Sequence, residues 1–78
     1  MTDLERVEDV LERVVRPLLA FDGGDVEVSE VDGDRVTLQL RGTLRGDPAA
    51  PYLKRGLIEP AVRRILGPGI EFRYTSPA

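Results

Sequence analysis

The sequence predicts a two-layer α/β (α+β) sandwich in the order helix, strand, strand, helix, strand, with a three-stranded mixed sheet and both helices on one face. Three observations carry that prediction. Apolar residues recur at helical steps near the N-terminus and again after residue 50. Two alternating apolar runs flank an Asp–Gly pair, which is a hairpin signal. A third alternating run follows the second helical segment, so the crossover makes one strand pair parallel and right-handed.

Thr2 and Asp3 are candidate N-caps, and acids at Asp3 and Glu5 suit a helix N-terminus. Leu4, Val7, Leu11, Val14 and Leu18 form one apolar face, widened by Val10, Val15 and Leu19. Pro17 lacks a backbone donor and should either kink this helix or split it after Val15 or Arg16. Phe21 is expected to pack at its end. Asp22–Gly23–Gly24–Asp25 then stops the helix, with one glycine in the left-handed C-cap conformation. This loop lacks the regularly spaced oxygen ligands of a calcium loop and reads as a helix stop and strand entry.

Val26 and Val28 alternate with Glu27 and Ser29, but Val31 resumes out of phase, which predicts a bulge or an early strand end. After Asp32–Gly33, Val36, Leu38 and Leu40 alternate cleanly with Thr37, Gln39 and Arg41. Pro51 fits the first turn of a second helix, whose buried stripe is Leu53, Leu57, Ile58, Ala61, Val62, Ile65 and Leu66. Pro60 interrupts that stripe and predicts a kink or two short helices. Gly67–Pro68–Gly69 ends it, and Ile70, Phe72 and Tyr74 mark the last strand. The expected core includes Leu11, Val14, Leu38, Leu40, Leu57, Val62 and Phe72.

Seventy-eight residues, 41% hydrophobic and 32% charged, make a single folded domain (1–78) with a tail at 75–78. A domain this small holds a net stability of only ~3–5 kcal/mol, and with no cysteine no disulfide supplements it. No apolar run approaches the ~20 residues of a membrane span. The acidic N-terminus does not read as a signal peptide, so the expected location is cytoplasmic. Charge is uneven. Residues 1–34 carry eleven acids and three bases, whereas residues 35–78 carry eight bases and three acids. The expectation is that the halves attract within one fold, or that a basic patch faces an acidic partner.

The stretch Arg41–Gly42–Thr43–Leu44–Arg45–Gly46–Asp47–Pro48 joins the second strand to the second helix, where small α/β domains place their chemistry. It holds no cysteine, histidine or serine. With neither His nor Cys in the chain, general acid–base work would fall to carboxylates, and none sits in a paired apolar setting, so the chain does not read as an enzyme.

Val10–Leu11, Val15–Arg16–Pro17–Leu18 and Asp22–Gly23–Gly24–Asp25–Val26–Glu27 together resemble the start of the C-terminal domain of NifU, the Nfu domain. Val36 to Gly42 resembles that family's second strand, and Leu53–Lys54–Arg55–Gly56–Leu57–Ile58–Glu59 its second helix. The match spans roughly residues 4–74. The resemblance implies a family that builds or carries iron–sulfur clusters through a Cys-x-x-Cys-Pro loop, with paired loops holding one four-iron cluster between protomers. Aligned through Gly42 and Pro48, the cysteine positions are occupied here by Leu44 and Asp47. Thiolate is the ligand such clusters require. The expectation is therefore no metal site and no cofactor.

The reading that follows is a degenerate Nfu-like domain, cluster-free and serving protein–protein interaction as an adaptor. Leu44 either stands exposed as an apolar tip, with Arg45, Gly46, Asp47, Lys54 and Arg55 as the surrounding contact residues, or folds inward as a lid on the sheet. An alternative is an accessory role in cluster assembly or transfer with ligands supplied by a partner. The Nfu fold is also similar to the type II KH domain, which makes nucleic-acid binding a second alternative. The acidic net charge of −3 argues against it, as does the Gly42–Gly46 spacing, which is too long for a Gly-x-x-Gly clamp. The expected partner is a protein, with no membrane, and the chain is expected to be a monomer or to self-associate weakly in a salt-sensitive way.

Overall fold

The computed structural model describes residues 2–75, apart from the side chains of Asp22 and Arg45. The end of the expected tail, 76–78, lies outside the described residues, and Thr75 belongs to the last strand.

The first helix, α1, covers residues 3–19. Thr2 caps it: its hydroxyl accepts the Glu5 N–H at 3.2 Å, and the Glu5 carboxylate accepts the Thr2 N–H at 3.1 Å. The Thr2 backbone and hydroxyl hold the Glu5 carboxyl below its ordinary range. Ahead of Pro17 the helix widens into a π turn over Leu11–Val15, where the Arg16 N–H donates to the Leu11 carbonyl. In an uninterrupted α-helix the Pro17 ring would press on the carbonyl four residues back. The extra residue in the turn relieves that clash without breaking the helix, and α-helical geometry resumes at Arg16–Leu19. A short 3₁₀ turn, Ala20–Asp22, leads to Gly23 in the left-handed conformation at φ 75°.

The second helix, α2, covers residues 50–66 and repeats the device. It starts at Ala50 with Pro51 in its first turn, widens into a π turn over Lys54–Ile58 and continues as Glu59–Leu66 with Pro60 near its head. The Glu59 N–H donates to the Lys54 carbonyl across the widened turn.

The sheet has the order β1–β2–β3, with β1 Gly24–Asp32, β2 Arg35–Gly42 and β3 Glu71–Thr75. β1 and β2 are antiparallel, and β2 and β3 are parallel. The bulge falls between Val28 and Glu30, and the shift brings Val31 opposite Val36. Val36, Leu38 and Leu40 face the helices from the central strand and are buried.

The widened turn also resets the face of α1. Val7, Leu11, Val15 and Leu19 are the buried residues, at uniform steps of four rather than alternating threes and fours. Val14, expected in the core, is 46% exposed, and Leu18, expected on the apolar face, is 54% exposed. Phe21 does not pack at the helix end; it is 87% exposed. Leu57 and Phe72 are half-buried against the core, and Leu11, Leu38, Leu40 and Val62 are within it.

Candidate functional site

The strand-to-helix loop begins where Gly42 leaves β2 at φ 64°. Gly42 lies against Gly23: a Cβ on Gly42 would overlap the Gly23 carbonyl oxygen. That same oxygen accepts the Thr43 N–H at 3.3 Å. The glycine pair that stops α1 is thus the surface on which the loop is laid down. Gly24 continues it, since a Cβ there would meet the Leu44 Cβ at 3.3 Å.

A 3₁₀ turn, Thr43–Arg45, then drives Leu44 inward. Leu44 is 1% exposed and belongs to the hydrophobic core. Of the two orientations open in the sequence, the inward lid is the one found, so Leu44 is not available as an exposed contact residue. A crevice of about 30 Å³ beside it is lined by Leu18, Leu19, Gly24, Thr43, Asp47 and Leu53 as well as Leu44.

Asp47 is occupied by its own backbone. Its Oδ1 accepts the Ala49 N–H at 2.8 Å, and its carbonyl accepts the Ala50 N–H at 2.9 Å. These bonds form the turn that launches α2 at Ala50, as an aspartate preceding a helix commonly does.

The other expected contact residues divide. Gly46 and Arg55 are exposed, and Arg55 has no charged partner among the described residues. The Arg45 side chain lies outside the described residues. Lys54 is drawn away into packing: its Nζ stands 4.5 Å from the centre of the Tyr74 ring. The Tyr74 hydroxyl donates to Glu59 Oε2 at 2.7 Å, and Glu59 also pairs with Arg63 at 3.5 Å. Arg63 in turn lies 4.9 Å from the Phe72 ring centre. Burial, reinforced by the Glu59 hydrogen bond, pushes the Tyr74 hydroxyl well above its ordinary pKa. Sequence reasoning missed this cluster; its signal was a pair of aromatic residues on β3 and cations at 54 and 63 on the helix above.

The two charge halves meet through Arg41–Glu27 at 3.0 Å and through Arg6, which donates to the Ile65 carbonyl at 2.8 Å. The other ion pairs among the described residues, such as Arg16–Asp25 and Arg13–Asp9, stay within one half. Among the described residues, Arg41–Glu27 is thus the ion pair that joins the two halves, and an exposed pair of this kind is individually worth less than about 1 kcal/mol.

The donor set of the loop does not fit an iron–sulfur cluster. Leu44 offers no donor atom and is turned into the core, and Asp47 offers one hard carboxylate already hydrogen-bonded. Among the described residues no three His, Cys, Asp or Glu side chains converge on one point. Nor is any helix among them long and apolar enough to cross a membrane.

A strand-to-helix loop seated on a Gly–Gly helix stop, in a helix–strand–strand–helix–strand sandwich, defines a small α+β scaffold domain. Comparison with known proteins assigns it further. Residues 7–71 match the model of the NifU-like domain. A nitrogen fixation protein NifU of Anabaena sp. (strain L31) is 38% identical over 64 residues, covering 82% of this chain and 57% of the relative. NifU-like protein 1, chloroplastic, of Oryza sativa subsp. japonica is 40% identical over 60 residues, covering 76% of this chain and 26% of the relative. The chain belongs to the NifU-like domain family, as its sequence motifs imply. It spans little more than half of the Anabaena relative's length and about a quarter of the rice relative's.

Proposed function

We propose that this NifU-like domain is a protein-interaction module that carries no iron–sulfur cluster of its own and performs no catalysis. The observation that supports this reading best is the burial of Leu44. The first of the two family ligand positions carries a side chain without donor atoms and has become part of the core, where it helps to hold the loop. In the family pattern, that loop presents thiolates. Here the same loop is held by an apolar side chain and by the hydrogen bonds of Asp47. The scaffold that displays the loop persists, and the exposed residues of the loop include Thr43, Gly46 and Pro48.

The reading is tested by purifying the protein under anaerobic conditions and assaying iron and acid-labile sulfide. Substoichiometric traces of both are expected. Stoichiometric iron and sulfide in the purified protein would contradict the reading.

A further inference from the structure

The sheet has two outer edges, β1 and β3, and the chain treats them differently. On β1 the outward groups of Val26 are already taken. Its N–H donates to the Asp25 carboxylate at 2.8 Å, and its carbonyl accepts Arg16 Nε at 3.2 Å. Further along, the bulge between Val28 and Glu30 bends that edge. Devices of this kind stop another strand from adding. On β3 none is found among the described residues. The Glu71 N–H donates to the Asp34 carbonyl at 2.7 Å, so Glu71 bonds toward β2. Alternation along the parallel ladder turns Arg73 and Thr75 the same way. The main-chain N–H and C=O groups of Phe72 and Tyr74 therefore point outward, without a partner among the described residues. Arg63 hydrogen-bonds the Ile70 carbonyl, at 3.4 Å, ahead of the strand. The Phe72 and Tyr74 rings pack against the core, and Glu71 and Arg73 stand exposed on the opposite face of the strand.

We propose that the outer edge of β3 is a docking edge and that its occupant is the β3 strand of a second copy, added antiparallel about a two-fold axis at Phe72. The inference rests on the reading of the domain as an interaction module, and it names a surface and a partner.

A second copy is favoured because Glu71–Phe72–Arg73 is its own antiparallel complement. With the axis at Phe72, that residue lies opposite its counterpart, and the Phe72 N–H and C=O groups are exchanged between copies. Each Glu71 then lies opposite the other copy's Arg73 on the exposed face. Charge on an edge strand ordinarily repels a second copy; here the two signs, two residues apart, attract. Centring the pair on Arg73 would set two arginines face to face, so charge selects the register. Within one chain Glu71 has Arg35 at 4.0 Å, whereas Arg73 has no charged partner among the described residues. The pairing supplies one. On the other face, Arg63 lies over the Phe72 ring but is already paired with Glu59 at 3.5 Å. The contact is short, so the dimer is weak and reversible.

The test is sedimentation velocity of the intact chain over roughly 10 µM to 1 mM, the range in which a small interface should associate. A sedimentation coefficient that rises with concentration is expected. Arg73→Glu and Glu71→Arg each oppose like charges across the axis, so each alone should associate at least ~10-fold more weakly, with an unchanged circular dichroism spectrum. An equimolar mixture of the two restores both opposite-charge pairs and should associate as the wild type does. Amide hydrogen exchange provides a readout that needs no substitution: the Phe72 N–H should slow as the dimer fraction of the wild type rises. A wild-type chain that stays monomeric overturns the proposal. So does a dimer that both variants leave intact, a mixture that fails to recover, or a Phe72 amide whose exchange ignores concentration. A colourless monomer overturns only this inference, whereas a cluster-loaded protein overturns the cluster-free reading.

Discussion

The carbonyl oxygen of Gly23 occupies the place where a side chain on Gly42 would begin, so the end of α1 and the start of the loop are packed backbone to backbone. Gly42 also sits at φ 64°, where a side chain is strained. Gly42→Ala should therefore destabilise the domain by at least ~2 kcal/mol, combining backbone strain with displacement of the Gly23 strand entry. Gly46→Ala meets nothing within 4 Å and should be close to neutral. Thermal unfolding of the two variants checks the contrast.

Leu44 is the side chain that this packing seats. Leu44→Ala removes a fully buried leucine, a change that costs about 2–5 kcal/mol in comparable cores. In a domain stable by only ~3–5 kcal/mol the variant should be partly unfolded at room temperature. Leu44→Met keeps the volume and should cost less than about 1.5 kcal/mol. Urea titration reads both, and a neutral Leu44→Ala would contradict the inward orientation.

The π turn makes a sharp distinction between adjacent valines. Val15 is fully buried and Val14 is not. Val15→Ala should cost about 1.5–3 kcal/mol, whereas Val14→Ala should stay within about 0.5 kcal/mol. An uninterrupted α-helix with the stripe Leu4, Val7, Leu11, Val14, Leu18 predicts substantial losses at Val14, so the pair of variants reports directly on the widened turn.

That reversal marks the limit of what the sequence disclosed. Alternation alone located β2, because strand period does not depend on hydrogen-bond register within a helix. The Val28–Val31 phase break located the bulge, and Asp22–Gly23–Gly24–Asp25 the left-handed stop. Both prolines were legible as disturbances, but not as π turns. Either outcome, kink or widening, relieves the same clash, and the choice left Val14, expected in the core, and Leu18, expected on the apolar face, exposed. At the loop, the missing ligands could be read from residue identity. The direction of Leu44 could not, because it is set by the close approach of Gly24 and by the 3₁₀ turn. Lys54 looked like a free cation because its ring partner, Tyr74, lies twenty residues away in the chain.

Tyr74 gives the fold an alkaline dependence. Its hydroxyl is held protonated in the folded state by burial and by donation to Glu59, so its folded pKa lies above the unfolded value near 10. The stabilisation is complete below about pH 10 and is lost as pH rises beyond it, because the unfolded chain then releases a proton that the folded one retains. Wild type should lose more stability between about pH 9 and pH 11 than Tyr74→Phe does, as read from urea midpoints at each pH. Parallel losses in the two proteins would mean that Tyr74 ionises normally in the folded state.

In this member of the NifU-like family the strand-to-helix loop is closed by a buried leucine, Leu44. The most direct test is anaerobic incubation of the purified chain with ferrous iron, sulfide and a thiol reductant, followed by desalting and an absorption spectrum. A colourless protein without bound iron is expected, since the loop provides no thiolate and its one carboxylate is already hydrogen-bonded. A brown protein that retains stoichiometric iron and sulfide after desalting would contradict it.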